Sequence, residues 1–295
     1  YSDYDCTIGD DFMNHMPQQV HFYMMNDNAN IHELSSSDPS QTVIGVYTFM
    51  IDDNRSRNMI FIKYDTENFG SDNTYANLGI WFDAAYGCES NDLLGYDRQS
   101  ETAYVYNRDM YSVDCDVDSL SERRLPELGI SILSHAKSTY DIAIGSQDQD
   151  SLVLPSLHDS DPDTLARLST RSVLFPHNCD QSTTGSLCNP NTSSDYFNIL
   201  DGKYSDGSSI LTPTGEVTQI MFDGHPDDSD SWAMVNDDSI IPETTGLIVQ
   251  DTYFNPPGTK TSTTFSIFGI DNFIGSPLVP FRLNTIRETR AIAKE

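Results

Sequence analysis

The sequence predicts an all-β chain, an antiparallel β-sandwich of jelly-roll or immunoglobulin-like type, on three observations. Short runs rich in β-branched and aromatic residues recur along it, clusters of Asn, Asp, Gly and Pro bound them, and helical periodicity is nearly confined to the C-terminal end. The predicted strands are 21–25, 42–51, 59–64, 76–82, 102–106, 129–133, 217–222, 247–253 and 263–270. Strands at this spacing bury their apolar faces by packing sheet on sheet. The opening and closing strands are expected to build one large sandwich over 1–295, with an inserted middle of about 83–246 that carries long acidic loops. Two β-domains, 1–140 and 141–295, are the alternative division.

Two segments read as helix. Residues 280–295 set Leu283, Ile286 and Ile292 on one face, and residues 163–169 form a turn after Pro162 with Asp161 or Asp163 as cap. The first residue is Tyr1, no apolar leader or membrane-length run is present, and the last helix is expected to continue. A piece of a longer exported protein is the expectation.

Charge narrows the partners. Against 45 Asp plus Glu stand 16 Lys plus Arg, a formal net charge of −29. Such a field repels nucleic acid and anionic membrane and attracts cations, so neither nucleic-acid binding nor direct membrane insertion is expected. Five cysteines, Cys6, Cys88, Cys115, Cys179 and Cys188, show no CxxC spacing of a zinc site and read as disulfide formers in an exported chain. Cys179 with Cys188, around a polar loop, is the expected pair, and Cys88 with Cys115 the second.

The most coherent stretch is 78–109, LGIWFDAAYGCESNDLLGYDRQSETAYVYNRD, which reads as two paired aromatic strands enclosing an acidic, glycine-containing loop. Asp83, Asn91, Asp92 and Asp97 are the candidate metal ligands, with Gly87 and Gly95 giving the backbone freedom to fold them onto one centre. Residues 78–97 contain no Lys or Arg. Two carboxylates about 4 Å apart repel by roughly 4 kcal/mol at an effective dielectric of about 20, so a cation is expected. Several hard oxygens and no histidine favour calcium.

Together with VHFYMMNDNANIHE (20–33), NMIFIKYDTENFGSDNTYANLGIWFDAAYG (58–87), SDYFNILDGKYSDGS (194–208) and TYFNPPGTKTSTTFSIFGID (252–271), this stretch resembles a β-rich region of large secreted proteins of Bacteroidota. Those proteins typically end in a type IX secretion sorting domain. The resemblance implies an extracellular or cell-surface location and a β architecture.

Other motifs are weaker. Asp114, Asp116 and Asp118, and again Asp159, Asp161 and Asp163, imitate the first half of an EF-hand loop, but neither run has glycine at the sixth position or glutamate at the twelfth. HPDD at His225–Asp228 resembles the metal signature of zinc-dependent sugar deacetylases, out of place in an all-β context. Asp-Ser/Thr-aliphatic triplets at Asp118, Asp150, Asp163 and Asp238 resemble O-glycosylation acceptors of Bacteroidota. No GxSxG, HExxH or phosphate-cradling loop occurs, and no catalytic residue is assigned. The expected function is a calcium-stabilised structural or adhesive segment of a large secreted or cell-surface protein, partnered by other segments of its chain or by extracellular molecules. The alternatives are an accessory or catalytic region of a secreted polysaccharide-acting hydrolase, for which 15 Tyr, 14 Phe and 2 Trp offer stacking platforms, and a self-assembling coat or filament subunit.

Overall fold

The computed structural model describes residues 17–28, 31–32, 37–51, 54–72, 74–83, 92–107, 127–138, 170–175, 188–237, 245–250, 253–270 and 283–294. Among them, strands dominate. A seven-stranded antiparallel sheet runs in the order β1 (Pro17–Asn26), β2 (Thr42–Ile51), β3 (Met59–Asn68), β14 (Lys260–Ile270), β8 (Glu127–Ser138), β7 (Thr102–Asn107), β6 (Asp92–Asp97). It consists of two meanders, β1-β2-β3 and β6-β7-β8, joined by the last strand. A three-stranded antiparallel sheet, β5 (Gly79–Asp83), β12 (Thr245–Gln250), β9 (Thr170–Leu174), is the second layer. Two short pairs, β4 (Thr74–Ala76) with β13 (Tyr253–Asn255) and β10 (Ile210–Leu211) with β11 (Val217–Thr218), complete the strands.

Strand alternation decides what each face does. One face of the large sheet presents Leu94, Val105, Ile130 and Phe265, which share a buried core with Ile80, Phe82, Val173 and Ile248 of the small sheet. The two sheets therefore pack as an antiparallel sandwich that is open rather than closed. The opposite face of the large sheet is covered over β14 and β8 by helix α2 (Leu283–Lys294), whose Ile286 is fully buried and whose Arg287 reaches β6. The predicted C-terminal helix and its inward Ile286 are thus present, and the predicted turn at 163–169 lies outside the described residues.

A helix the sequence reading passed over, α1 (Ser193–Leu200), covers the outer side of the small sheet, where Leu200 lies against Gly79. Its start is a capping box: Thr192 Oγ1 accepts from the Asp195 amide at 3.2 Å, and Asp195 Oδ2 accepts from the Thr192 amide at 3.0 Å. The Thr192 side-chain hydrogen bond and the backbone amides of Asn191 and Thr192 hold the Asp195 carboxyl below the usual aspartate range.

The β4–β13 pair is tied to the main sheet by one buried side chain. Asn68 donates through Nδ2 to the carbonyls of Asn255 (2.8 Å) and Asp72 (3.0 Å), and its Oδ1 accepts from the Gly70 amide at 2.8 Å. A single buried amide thereby bridges the loop after β3 to β13, whose Asn255 carbonyl also accepts from Thr74 Oγ1 at 3.0 Å.

Two expectations are corrected here. The runs 76–82 and 102–106 are not paired with each other: β5 pairs with β12 in the small sheet, while β7 lies between β6 and β8 in the large one. The segment read as an acidic loop contains the buried strand β6, and Gly95 sits extended in its middle, opposite Tyr104. Its lack of a side chain makes room for the Tyr104 ring rather than for a turn.

Candidate functional site

The four candidate ligands are distributed as follows. Asp83 closes β5 opposite Thr245 and is exposed. Asp92 opens β6 opposite Asn107, and Asp97 closes it opposite Thr102; both are buried. Asn91 lies outside the described residues. Five steps along an extended strand separate the two β6 carboxylates by about 16 Å and put them on opposite faces, so they do not share an ion.

Asp97 also has the cationic partner that its neighbourhood in sequence lacks. From α2, Arg287 Nη2 donates to Asp97 Oδ1 at 2.7 Å and Nε to Oδ2 at 2.9 Å, a fork on a carboxylate 5% exposed. Ser100 adds its Oγ at 2.6 Å and its amide at 3.0 Å to Oδ2. Burial raises the Asp97 carboxyl, but the hydrogen bonds from Arg287 and Ser100 and the guanidinium charge outweigh it, and the net shift is downward. One turn along the helix, Arg290 donates to Glu101 Oε2 at 3.2 Å and to Ser131 Oγ at 3.3 Å. Asp97, Thr102, Ser131 and Ser266 form a row across four strands beneath these guanidiniums. With three donors on Oδ2 and one on Oδ1, the Asp97 carboxylate clamps the helix to the sheet.

The HPDD segment belongs to a loop held by its own hydrogen bonds. His225 Nδ1 accepts from the Asp227 amide at 3.1 Å, Asp228 Oδ1 from the Asp230 amide at 3.0 Å, and Asn236 Nδ2 donates to the carbonyls of Asp228 and Ser231. Its apolar ends, Phe222, Trp232 and Met234, pack inward. The loop also protects an edge: Tyr96 N donates to the Phe222 carbonyl at 3.0 Å and Leu94 N to Met234 Sδ at 3.3 Å, along the outer side of β6. Arg98 pairs with Asp223 where the two segments meet. Among the described residues no three His, Cys, Asp or Glu side chains converge on one point. The Asp114 and Asp159 clusters and the four glycosylation-like triplets lie outside the described residues. Cys188 is disulfide-bonded, and its possible partners, Cys6, Cys88, Cys115 and Cys179, lie outside them as well.

The opposite edge of the large sheet is different. β1 reads PQQVHFYMMN, with no charged residue, and exposes Val20, Phe22, Tyr23, Met24 and Met25. Phe22 packs on Tyr47 of β2 with ring centroids 4.7 Å apart, and Lys63 Nζ stands 5.6 Å from the Tyr47 centroid. Lys63 in turn pairs with Asp65 at 3.2 Å, and Ser262 Oγ donates to the same carboxylate at 2.6 Å. An apolar strand thus borders an aromatic shelf framed by one ion pair. The sequence reading counted the aromatics without locating this shelf; the ten-residue run free of charge in so acidic a chain was its visible signal.

No protein-family model matches this chain, and no curated protein is similar to it.

Proposed function

We propose that this chain is a structural, adhesive segment of a large secreted or cell-surface protein. The observation that carries the reading is β1: five large apolar side chains displayed to solvent on an uncharged strand of a chain whose net charge is −29. Exposed apolar side chains gathered on one edge strand, Val20, Phe22 and Met24 on one face and Tyr23 and Met25 on the other, mark a contact site. At the far end of the same sheet, Arg287 and Arg290 tie α2 to the strands through ion pairs, which supports a scaffold role. The resemblance to secreted proteins of Bacteroidota supports the extracellular setting. Labelled chain is expected to be retained on alkyl-coated beads, with retention falling about tenfold or more in the double variant Tyr23→Ser, Met24→Ser. Equal retention of the variant, or release of reducing ends from insoluble polysaccharide by the wild type, would count for the hydrolase class instead.

Calcium is part of the proposal, on Asp83, Asn91 and Asp92, with Asp97 reassigned as the counter-ion of Arg287. An ion binding only the folded state raises its stability, so chelation at matched ionic strength is expected to lower the unfolding midpoint by about 4 °C or more. A midpoint unmoved by chelator in the wild type removes calcium from the account. We also propose Cys179 as the partner of Cys188.

A further inference from the structure

We infer that β1 is a self-association edge, on which two copies of this chain pair antiparallel about a two-fold axis at Phe22 and merge their seven-stranded sheets into one. The inference rests on the adhesive reading of β1 and gives that surface its partner.

The two edges of the large sheet are treated unequally. Along β6, the Phe222 carbonyl and Met234 Sδ take the outward amides of Tyr96 and Leu94. Along β1, nothing among the described residues pairs with the outer side, and β2 occupies the inner side from Pro17 to Asn26. Edge strands are ordinarily blunted by charge, central proline, bulges or shortness. β1 is ten residues long, and its proline and its register shift both lie at the first positions, leaving Gln19 to Asn26 regular.

The strand suits a second copy of itself. A two-fold axis normal to the sheet keeps each face on its own side, so residues of equal parity must lie opposite one another. Centred on Phe22, the pairs are Phe22 with its counterpart, Val20 with Met24, His21 with Tyr23, and Gln19 with Met25, and no pair contains a carboxylate. Phe22 already packs on Tyr47 within each copy, so four rings would stand in one row across the seam, bordered at each end by Lys63. Two chains of net charge −29 repel at range, and an uncharged strand is where they approach at least cost. Phe22 is 52% and Met24 65% exposed, and the other three are comparable. Edge pairing buries the outer flanks of these side chains and the paired backbone while their faces stay in water, so the seam lies at the small end of specific interfaces and makes a weak dimer.

Analytical ultracentrifugation of the full chain at about 100 µM, in about 0.15 M and about 0.5 M NaCl, tests this inference. The wild type is expected to sediment as a dimer whose population rises with salt. Phe22→Lys sets two ammonium groups opposite each other and is expected to weaken dimerisation at least tenfold, on the order of 1.4 kcal/mol. Val217→Lys, at a still more exposed apolar position on β11, is expected to leave the dimer unchanged. Amide exchange in the wild type supplies a reading that needs no variant: protection of β1 amides should rise with protein concentration. A wild type monomeric in both salts, a Phe22→Lys chain as dimeric as the wild type, or β1 exchange independent of concentration would overturn the inference. A monomer that still binds alkyl beads sinks self-association and leaves the adhesive reading standing. A dimer lost in Phe22→Lys upholds the inference whatever the beads give.

Discussion

Arg287→Ala is expected to lower the unfolding free energy by about 3–5 kcal/mol, the cost of leaving a buried carboxylate without its partner. The Asp97 carboxylate accepts both arms of the guanidinium at 2.7 and 2.9 Å and is almost wholly withdrawn from water. Removing the arginine strands that charge under α2 and loosens the helix from β6 and β7. The effect depends on pH with a definite sign. Because the Asp97 carboxyl is held below its unfolded value of about 3.9, its contribution is complete above that pH and is lost as pH falls through the lower folded value. The gap between wild type and Arg287→Ala should therefore narrow in acid, where the variant's stranded carboxylate is neutralised and the wild type loses its pair. Denaturant midpoints at neutral pH and near pH 3 measure this. A loss under about 1 kcal/mol at neutral pH, or a gap that widens in acid, would show that the clamp is not what holds the helix.

Much of the architecture was legible because its signal is local. The run at Thr42–Ile51 is rich in β-branched and aromatic residues and bounded by turn residues, and it folds as a strand over those residues; β3, β7, β8 and β14 extend predicted runs by a few residues. β6 was missed for a physical reason: both of its faces are buried, so DLLGYD shows no alternation, and its terminal aspartates and central glycine look like loop chemistry. Pairing was illegible where it is remote. β5 finds β12 more than 150 residues away, and Arg287 reaches Asp97 across 190, so an acidic segment read alone seemed to lack a cation. The start of α1 has a local signal as well, since Thr192-x-x-Asp195 is a helix-start pattern.

Gly129→Ala is the second large effect, expected to cost about 2–3 kcal/mol by overpacking. On the face beneath α2, Gly95, Tyr104, Gly129, Phe268 and Met59 stand opposite one another across five strands, so that ring and gap alternate. Each ring leans over the neighbouring glycine: a Cβ on Gly129 would lie 2.2 Å from Phe268 Cε2 and 2.5 Å from its Cζ, and one on Gly95 would lie 2.4 Å from Tyr104 Cζ. Phe268 is fully buried and has no free rotamer to retreat to, so backbone or ring must shift. The interference is specific to that ring, and shortening it should give back part of the loss. Phe268→Leu alone opens a cavity and destabilises, yet combined with Gly129→Ala the total should fall well short of the sum, by about 1 kcal/mol or more in a double-mutant cycle. Equilibrium unfolding of the four chains measures it. Strict additivity, or a Gly129→Ala chain within about 0.5 kcal/mol of wild type, would mean that the ring does not occupy the space over Gly129.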